Sequence, residues 1–441
     1  MRTFHIHTFG CQMNVYDSER VGALLTARGW APVDDPEQAH LLIVNTCSVR
    51  EKPAQKVFSF VGRFLAEKER GAMRIFVMGC VAQQLGADLP SLSPLIDGVF
   101  GPGCEAAIPD AAERGIFPVV MTDPAALTDR ELFPPVYDTL WRGARSAFVT
   151  VMHGCDNHCS YCIVPSVRGG EVSRTGETIL EEIRALVAAG IREVTLLGQN
   201  VNSYRDPVAG LDFTGLLYLI AGRAGLDRIR FVTSHPRDLT PALATAFAEI
   251  PSLMPYLHLP AQSGSDRILA LMNRGYGVKE YLEKIAWVRE RCPDISLSSD
   301  FIVGFPGETE SEFEETLSLI ETVCYDTLFA FKYSPRPGTV AARWPETLTD
   351  DERSARLDRL LQVQRAVMGA VRRRFLGRTV TVLIESRSPR GGTVMGRSEH
   401  NQIVHVAGDP LPAEGSLVPV RITEVLDNTL RGDRIDAVKE G

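Results

Sequence analysis

Three cysteines, Cys11, Cys47 and Cys80, each follow directly on a short apolar run: RTFHIHTFG, HLLIVNT and RIFVMG. Between these runs lie DSERVGALLTARG and KVFSFVGRFLAEKE, whose apolar residues recur at helical spacing. The order reads as βαβαβ, a parallel α/β domain occupying residues 1–116. In such a sheet the carboxyl ends of the strands share one edge, and that edge is where ligands bind. Cysteines 36 and 33 residues apart can therefore meet at one point.

A second set is compact: Cys155, Cys159 and Cys162 lie within HGCDNHCSYCIVP. Spacings of three and two let one tight loop hold three corners of a four-iron cluster while the fourth iron stays open. An open iron can bind a substrate, much as a three-ligand zinc keeps a position for chemistry. A zinc site would need a fourth Cys or His at matching spacing, and His153 and His158 are the nearby candidates. Tyr161, between the last two cysteines, is placed to cover the cluster or a bound adenine. Cys104, Cys292 and Cys324 join neither set and read as isolated thiols.

The chain has 441 residues, which suggests two to four domains, and its 44% hydrophobic content fits a soluble globular protein. Nine cysteines at irregular spacings argue for metal binding over a disulfide framework. No run approaches the ~18 apolar residues of a membrane span, and MRTFHIHTFGCQMN lacks the order of a secretory signal. A cytoplasmic location with no membrane partner is expected. The net charge of −8 gives no hint of a nucleic-acid partner, yet Arg353, Arg356, Arg359, Arg365, Arg372, Arg373, Arg374 and Arg378 face only Asp358 in the same stretch. Such a stripe is either a solvated helix face or a phosphate-binding surface, and Arg372, Arg373 and Arg374 are its candidate RNA contacts.

Residues 117–140 are rich in Pro, Thr and Asp without clear periodicity and read as a linker. From 141 to 370 a second alternating series runs through SAFVTVMHGC, REVTLLGQN, RIRFVTSH, YLHLPAQ, ISLSSDFIVGFPG and TLFAFKYS. Six βα units suggest a partial (β/α)6 barrel with its functional residues on the C-terminal rim. Arg230 and Arg237, near the third of these strands, are further candidates to meet RNA. Residues 371–441 change to short β-rich runs separated by Gly and Pro, as in a small antiparallel barrel, and carry 11 Lys+Arg against 9 Asp+Glu.

The Cys155/Cys159/Cys162 loop resembles that of the radical S-adenosylmethionine superfamily. The resemblance implies that the cofactor's methionyl amine and carboxylate chelate the open iron, and that reductive cleavage yields a 5′-deoxyadenosyl radical. Rim segments fit the same cofactor: Gln199, Asn200 and Asn202 for the methionyl end, Gln262 and Ser263 for the ribose. Gly304, Phe305, Pro306 and Glu308 follow the fifth strand, where a glycine lets backbone approach an adenine.

As a whole, the chain resembles the methylthiotransferases, whose terminal barrel is the RNA-associated TRAM domain. The strings TFGCQMN, LGQNVNSY and TSHP resemble the MiaB-type branch. That resemblance implies insertion of a methylthio group at C2 of N6-isopentenyladenosine, position 37 of tRNA, beside the anticodon. It implies two [4Fe-4S] clusters, with Cys11, Cys47 and Cys80 holding the one that handles sulfur. Two S-adenosylmethionine molecules are used, one to methylate sulfur and one to activate the C2–H bond. An external electron donor is required, while the sulfur source and iron–sulfur delivery proteins are not identified. The same chemistry on threonylcarbamoyladenosine tRNA, or on a ribosomal-protein aspartate, stands as the alternative. A non-catalytic RNA-binding iron–sulfur redox protein is the alternative from another class.

Overall fold

The computed structural model describes residues 1–48, 53–115, 117–123, 145–388 and 391–435. The first domain is a six-stranded sheet, parallel throughout. Its strands are β1 (Thr3–Phe9), β2 (Ala31–Pro32), β3 (Leu41–Thr46), β4 (Arg74–Gly79), β5 (Gly98–Phe100) and β6 (Val119–Met121), in the order β2-β1-β3-β4-β5-β6. Every residue of β3 is buried, as a central parallel strand with helices on both faces requires. The apolar face packs in two layers, Leu42, Val44, Val77 and Val99 to one side, and Leu41, Ile43, Phe76 and Phe100 to the other. Residues Val119–Met121, expected within the linker, instead add the edge strand β6; three apolar residues beside a proline are too short a run to read as a strand. The remainder of the expected linker, 124–140, lies outside the described residues.

The central domain is the expected partial barrel. Its parallel strands are β7 (Ser146–Thr150), β10 (Glu193–Leu197), β11 (Arg228–Phe231), β12 (Tyr256–His258), β13 (Ser296–Val303) and β14 (Thr327–Lys332), with the short antiparallel pair β8 (Met152–His153) and β9 (Val172–Ser173) after β7. They form two three-stranded sheets, β7-β10-β11 and β12-β13-β14, joined by the parallel bridge Ile229–Leu253. Val149, Leu196, Phe231, Phe301 and Val303 face outward into one large core with the surrounding helices. The residues paired across the other face, Phe148, Thr195 and Arg230 on one sheet and Asp300 and Phe329 on the other, point into the lumen.

The third domain is a closed five-stranded barrel of β15 (Thr379–Arg387), β16 (Val394–Ser398), β17 (Ile403–Ala407), β18 (Leu417–Val425) and β19 (Leu430–Arg434), in the order β15-β16-β17-β19-β18. All its pairings are antiparallel except β17–β19, where the chain returns to close the barrel. Arg228 and Arg230 bind it to the central domain, donating to the carbonyls of Arg397, Thr381, Glu399 and Ser398 at 2.6–3.0 Å. Glu193 lies between the two guanidinium groups, 3.5 and 3.1 Å away, and keeps their buried charge paired. Arg230 is thus an interdomain clamp and is not free for RNA. Arg237 is half-exposed and pairs with its neighbour Asp238. No helix is long and apolar enough to cross a membrane among the described residues.

The loop after β12 is held against the helix Glu310–Val323 at Gly264. A Cβ there would lie 2.4 Å from the Glu315 carbonyl oxygen and 2.5 Å from the Thr316 Cα, both backbone atoms with little room to move. Gly264→Ala is expected to destabilise the central domain by about 1–3 kcal/mol, the usual scale of overpacking, and to lower its midpoint in urea denaturation.

Candidate active site

The dispersed triad converges as the strand order requires. Cys11 follows β1 and caps the helix Gln12–Ala27, Cys47 follows β3, and Cys80 opens the helix after β4. Two side-chain amides lock this edge. Asn14 accepts from the Cys11 N–H and thiol at 3.2 Å, and donates to Asn45 at 2.8 Å. Asn45 donates in return to the Asn14 carbonyl and to Ser18. Gly79 has φ +92°, and a Cβ on it would lie 2.5 Å from both Asn45 Oδ1 and the Thr46 carbonyl, so only glycine lets Cys80 come this close.

The Cys47 thiol lies between those of Cys11 and Cys80. Its hydrogen bonds hold both neighbours at about 6 against the effect of burial, with the Arg168 charge adding to the shift. The same two bonds drive Cys47 itself upward. The arrangement is a chain through Cys47, and among the described residues no three side chains close around a single ion. A thiolate-stabilising edge with three cysteines suits a multi-iron cluster with one iron open.

The compact triad lies on the loop after β8. The Cys155 N–H donates to the Gly169 carbonyl at 3.1 Å and the Cys162 N–H to the Cys159 carbonyl at 3.0 Å, so both ends of the loop are pinned. Burial pushes the Cys162 thiol up to about 12 and raises that of Cys155. These thiols therefore become ligands most readily when a metal replaces their protons. No motif marks Arg274, whose Nη1 donates to Cys159 Sγ at 3.4 Å and reaches the Tyr161 hydroxyl at 3.5 Å. Its Nε and Nη2 are tied to Tyr276 and to the Pro260 carbonyl. Tyr161 stands edge-on to Phe305, at a centroid distance of 6.4 Å, beside the apolar group of Ile268, Met272 and Tyr333.

The rim residues divide into two kinds. Gln199 Oε1, Asn200 Oδ1, Ser234 Oγ and His235 Nε2 are buried without a hydrogen-bond partner among the described residues, an arrangement that leaves room for a polar ligand. Asn200 is oriented by its amide donating to Asp238 at 2.7 Å. Burial lowers His235 to about 2, so its ring is neutral. Asn202, by contrast, uses both ends of its amide on the His235 backbone and positions that loop. Gln262 has φ +71° and bridges to β13 through its own backbone, while Ser263 is buried against Thr316.

Gly304, Phe305, Pro306 and Glu308 do not form an open adenine cradle. A Cβ on Gly304 would lie 2.4 Å from Arg353 Cγ, so the close approach it permits is to that side chain. Phe305 is wholly buried between Tyr333 and Trp344, and Pro306 is buried beside it. Glu308 bonds the Gly304 N–H and Arg356, each at 2.7 Å. The stretch is a closing loop that carries Phe305 to the wall behind Tyr161.

Most arginines of the basic stripe are likewise tied to other parts of the protein, although Arg359 and Arg378 stay exposed. Arg353, Arg356, Arg359 and Arg378 pair with Glu346, Glu308, Glu310 and Asp294. Arg372 is buried and donates to the Asp427 carbonyl, and Arg374 donates to Asp326 and Ser296 at 2.8 Å, joining the small barrel to the base of the central one. The expected RNA contacts at Arg372 and Arg374 are therefore corrected to interdomain ties. Arg373 and Arg365 remain exposed, with no ion pair among the described residues. On the lumen face, Phe329 and Phe331 are 49% and 50% exposed, beside His258, an apolar pair open to solvent at the barrel's unclosed side.

The first triad abuts the segment that carries the second at the domain junction. Cys80 packs against Ile163 and Val167, which follow directly on Cys162. Met13 and Tyr16 of the first helix enter the lumen against Phe148, Leu197 and Val232. Arg168 pairs with Asp17 at 3.0 Å, both buried, and Tyr16 reaches Glu182, which Arg174 holds at 2.5 Å.

Comparison with known proteins agrees with this architecture domain by domain. Residues 149–320 match the radical SAM superfamily, residues 3–101 the uncharacterized protein family UPF0004, and residues 373–435 the TRAM domain. Among solved structures, the radical S-adenosylmethionine methyltransferase TsrM from Kitasatospora setae, bound to cobalamin and a [4Fe-4S] cluster, is similar in fold. Its TM-score is 0.58 at 17% identity, over 77% of each chain. The tRNA-2-methylthio-N(6)-dimethylallyladenosine synthase of Geobacter metallireducens is 49% identical over 98% of this chain and 98% of its own. Its counterpart in Geobacter sulfurreducens is 48% identical over 97% and 96%. The counterpart in Anaeromyxobacter dehalogenans is 44% identical over 98% and 94%. With all three domains matched in order and nearly half the residues shared from end to end, the chain belongs to the tRNA-2-methylthio-N(6)-dimethylallyladenosine synthase family of radical SAM proteins.

Proposed function

We propose that this chain is a tRNA methylthiotransferase that places a methylthio group on C2 of N6-isopentenyladenosine at position 37, beside the anticodon. The observation that carries the reading is the meeting of two three-cysteine sites at one domain junction, Cys80 packed on the segment that follows Cys162. Cys155, Cys159 and Cys162 would hold one [4Fe-4S] cluster, and Cys11, Cys47 and Cys80 the auxiliary one. When bound, the clusters and S-adenosylmethionine supply hydrogen abstraction from an unactivated C–H bond and a methylated sulfur to put in its place.

The chain's own residues bind, orient and exclude water. Gln199, Asn200, Ser234 and His235 offer their unpartnered polar atoms to the methionyl and ribose groups of the cofactor. Tyr161, backed by Phe305, walls the site, and Arg274 steadies Cys159. Phe329 and Phe331 offer an aromatic platform on which an unstacked base and its isopentenyl group can lie. The first domain, extended through β6 at Val119–Met121, serves as the sulfur-handling domain, residues 141–370 as the radical domain and 371–441 as the RNA-binding domain. An external reductant is needed because the bound cofactor must gain an electron.

Anaerobic reconstitution is expected to give about eight irons per chain, falling to about four when either triad is changed to Ala. Loss of Cys155, Cys159 and Cys162 abolishes deoxyadenosine formation, while loss of Cys11, Cys47 and Cys80 spares that cleavage and stops methylthiolation. Methylthiolated product from the second variant would sink the two-site reading. Mass spectrometry of tRNA nucleosides from a deletion strain should show isopentenyladenosine lacking its methylthio group; accumulation of unmodified threonylcarbamoyladenosine instead would point to the other tRNA substrate.

Arg274→Leu removes the donor that Arg274 gives to Cys159 and leaves the Pro260 carbonyl with the Tyr276 hydroxyl alone, so stability should fall by about 1–3 kcal/mol in urea denaturation, with iron occupancy falling too. For the RNA surface, Arg365→Ala with Arg373→Ala should weaken tRNA binding and flatten its salt dependence by about one unit of slope for each phosphate no longer neutralised. Arg374→Ala should instead lower thermal stability and leave the slope unchanged, because its charge is held by Asp326. Equal slopes for all these variants would remove the stripe from the interface.

A further inference from the structure

Arg168 has one hand occupied and the other free. Its Nη2 donates to Asp17 at 3.0 Å, in a pair with only 3% and 7% of the two side chains exposed. Its Nη1 is also buried, yet makes no full hydrogen bond to any described residue. The guanidinium also hydrogen-bonds the Cys80 thiol and its charge acts on Cys11, so Nη1 is the donor that stays open. Its backbone is equally fixed: it ends the helix Val164–Arg168, and the carbonyl of the next residue, Gly169, accepts from Cys155. A fully buried donor left open beside a cysteine edge implies a missing acceptor. Asp17 already neutralises much of its charge, so the open N–H serves direction more than charge alone. A guanidinium fork suits this, because it can keep one anchor while presenting a second N–H in a fixed direction.

We propose that Arg168 is the positioning residue for the sulfur that is transferred: its Nη1–H donates to an anionic sulfur ligand, a hydrosulfide or thiolate, held at the Cys11/Cys47/Cys80 site. The inference rests on the reading that these cysteines carry a cluster with an open iron. Because the same segment carries Cys155 to Cys162, a sulfur held by Arg168 is also held in register with the radical site. Other unpartnered polar atoms occur near the edge, Ser48 Oγ, Gln83 Oε1 and His153 Nε2. Of these open groups only the guanidinium carries a permanent charge, which an anionic sulfur needs beside it.

The test uses the full chain with Cys155, Cys159 and Cys162 changed to Ala, so that the auxiliary cluster alone contributes to the spectrum. Sodium methanethiolate is titrated in, and the electron paramagnetic resonance signal of the reduced protein is followed. Against this background, Arg168→Lys keeps the charge but loses the second directed N–H, and Asp17→Asn with Arg168→Gln removes both members of the buried pair together. Each is expected to hold about four irons and to bind methanethiolate at least about tenfold more weakly, the scale of one charge-assisted hydrogen bond. Unchanged affinity in both variants with iron intact overturns the proposal, and so does loss of iron from the double variant, which would make Arg168 a structural support. If the background protein without these changes holds no four-iron complement, the cluster reading itself falls, and this inference with it.

Discussion

The site depends on a buried ion pair between domains. Arg168 and Asp17 lie on segments more than 150 residues apart in sequence, and their contact at 3.0 Å fixes where the first helix enters the central lumen. Such a pair adds little net stability, since desolvation offsets most of the attraction, but losing one partner strands the other at about 3–5 kcal/mol. Its consequence is therefore positional. The pair lies beside two other contacts across the same junction, Met13 and Tyr16 packed on Phe148 and Leu197, and Cys80 packed on Ile163 and Val167. On the proposed reading the two cysteine sites must hold a fixed separation, and a directional, buried contact supplies that better than apolar packing.

The same logic governs the arginines. A basic stripe read along the sequence looks like a phosphate surface because acidic partners distant in sequence are invisible to it. In the fold, Arg356 meets Glu308, Arg374 meets Asp326, and Arg228 and Arg230 clamp barrel carbonyls around Glu193. Interfaces built from guanidinium groups and backbone carbonyls fix angle as well as distance, because the fork accepts only a planar set of partners. The small barrel is thereby held at the base of the central one, leaving Arg365 and Arg373 as the exposed cations of this stripe without an ion pair among the described residues.

Much of the fold was legible because its signals are local. Three apolar runs ending in Cys11, Cys47 and Cys80 give a parallel sheet whose edge collects them, and six βα units give the partial barrel. The edge strand β6 was missed because three apolar residues beside a proline carry no period. The site was legible where a motif is contiguous and obscure where it is assembled by folding. Arg274 reaches Cys159 across 115 residues, and nothing in its own neighbourhood marks it. Gly304 shows the opposite error: a glycine after a strand implied an open approach to a ligand, whereas the space is filled by Arg353 from the last long helix. A glycine records that something comes close, without recording what.

The lumen itself fits the proposed placement of the chemistry at the junction of the first two domains. The barrel is closed on one side by β7, β10 and β11 with the first helix laid against them, and on its base by the small barrel. The remaining opening is bordered by β14, whose outer edge has no partner strand among the described residues and whose Phe329 and Phe331 face the cavity half-exposed. An unpaired edge with two open aromatic rings would be an aggregation hazard on a featureless surface. Here the two rings lie on the concave face of β14, the same face of the barrel wall that carries Asp300 and His258. On the proposed reading, a planar base entering along those rings would be stacked on one face before any polar contact is made.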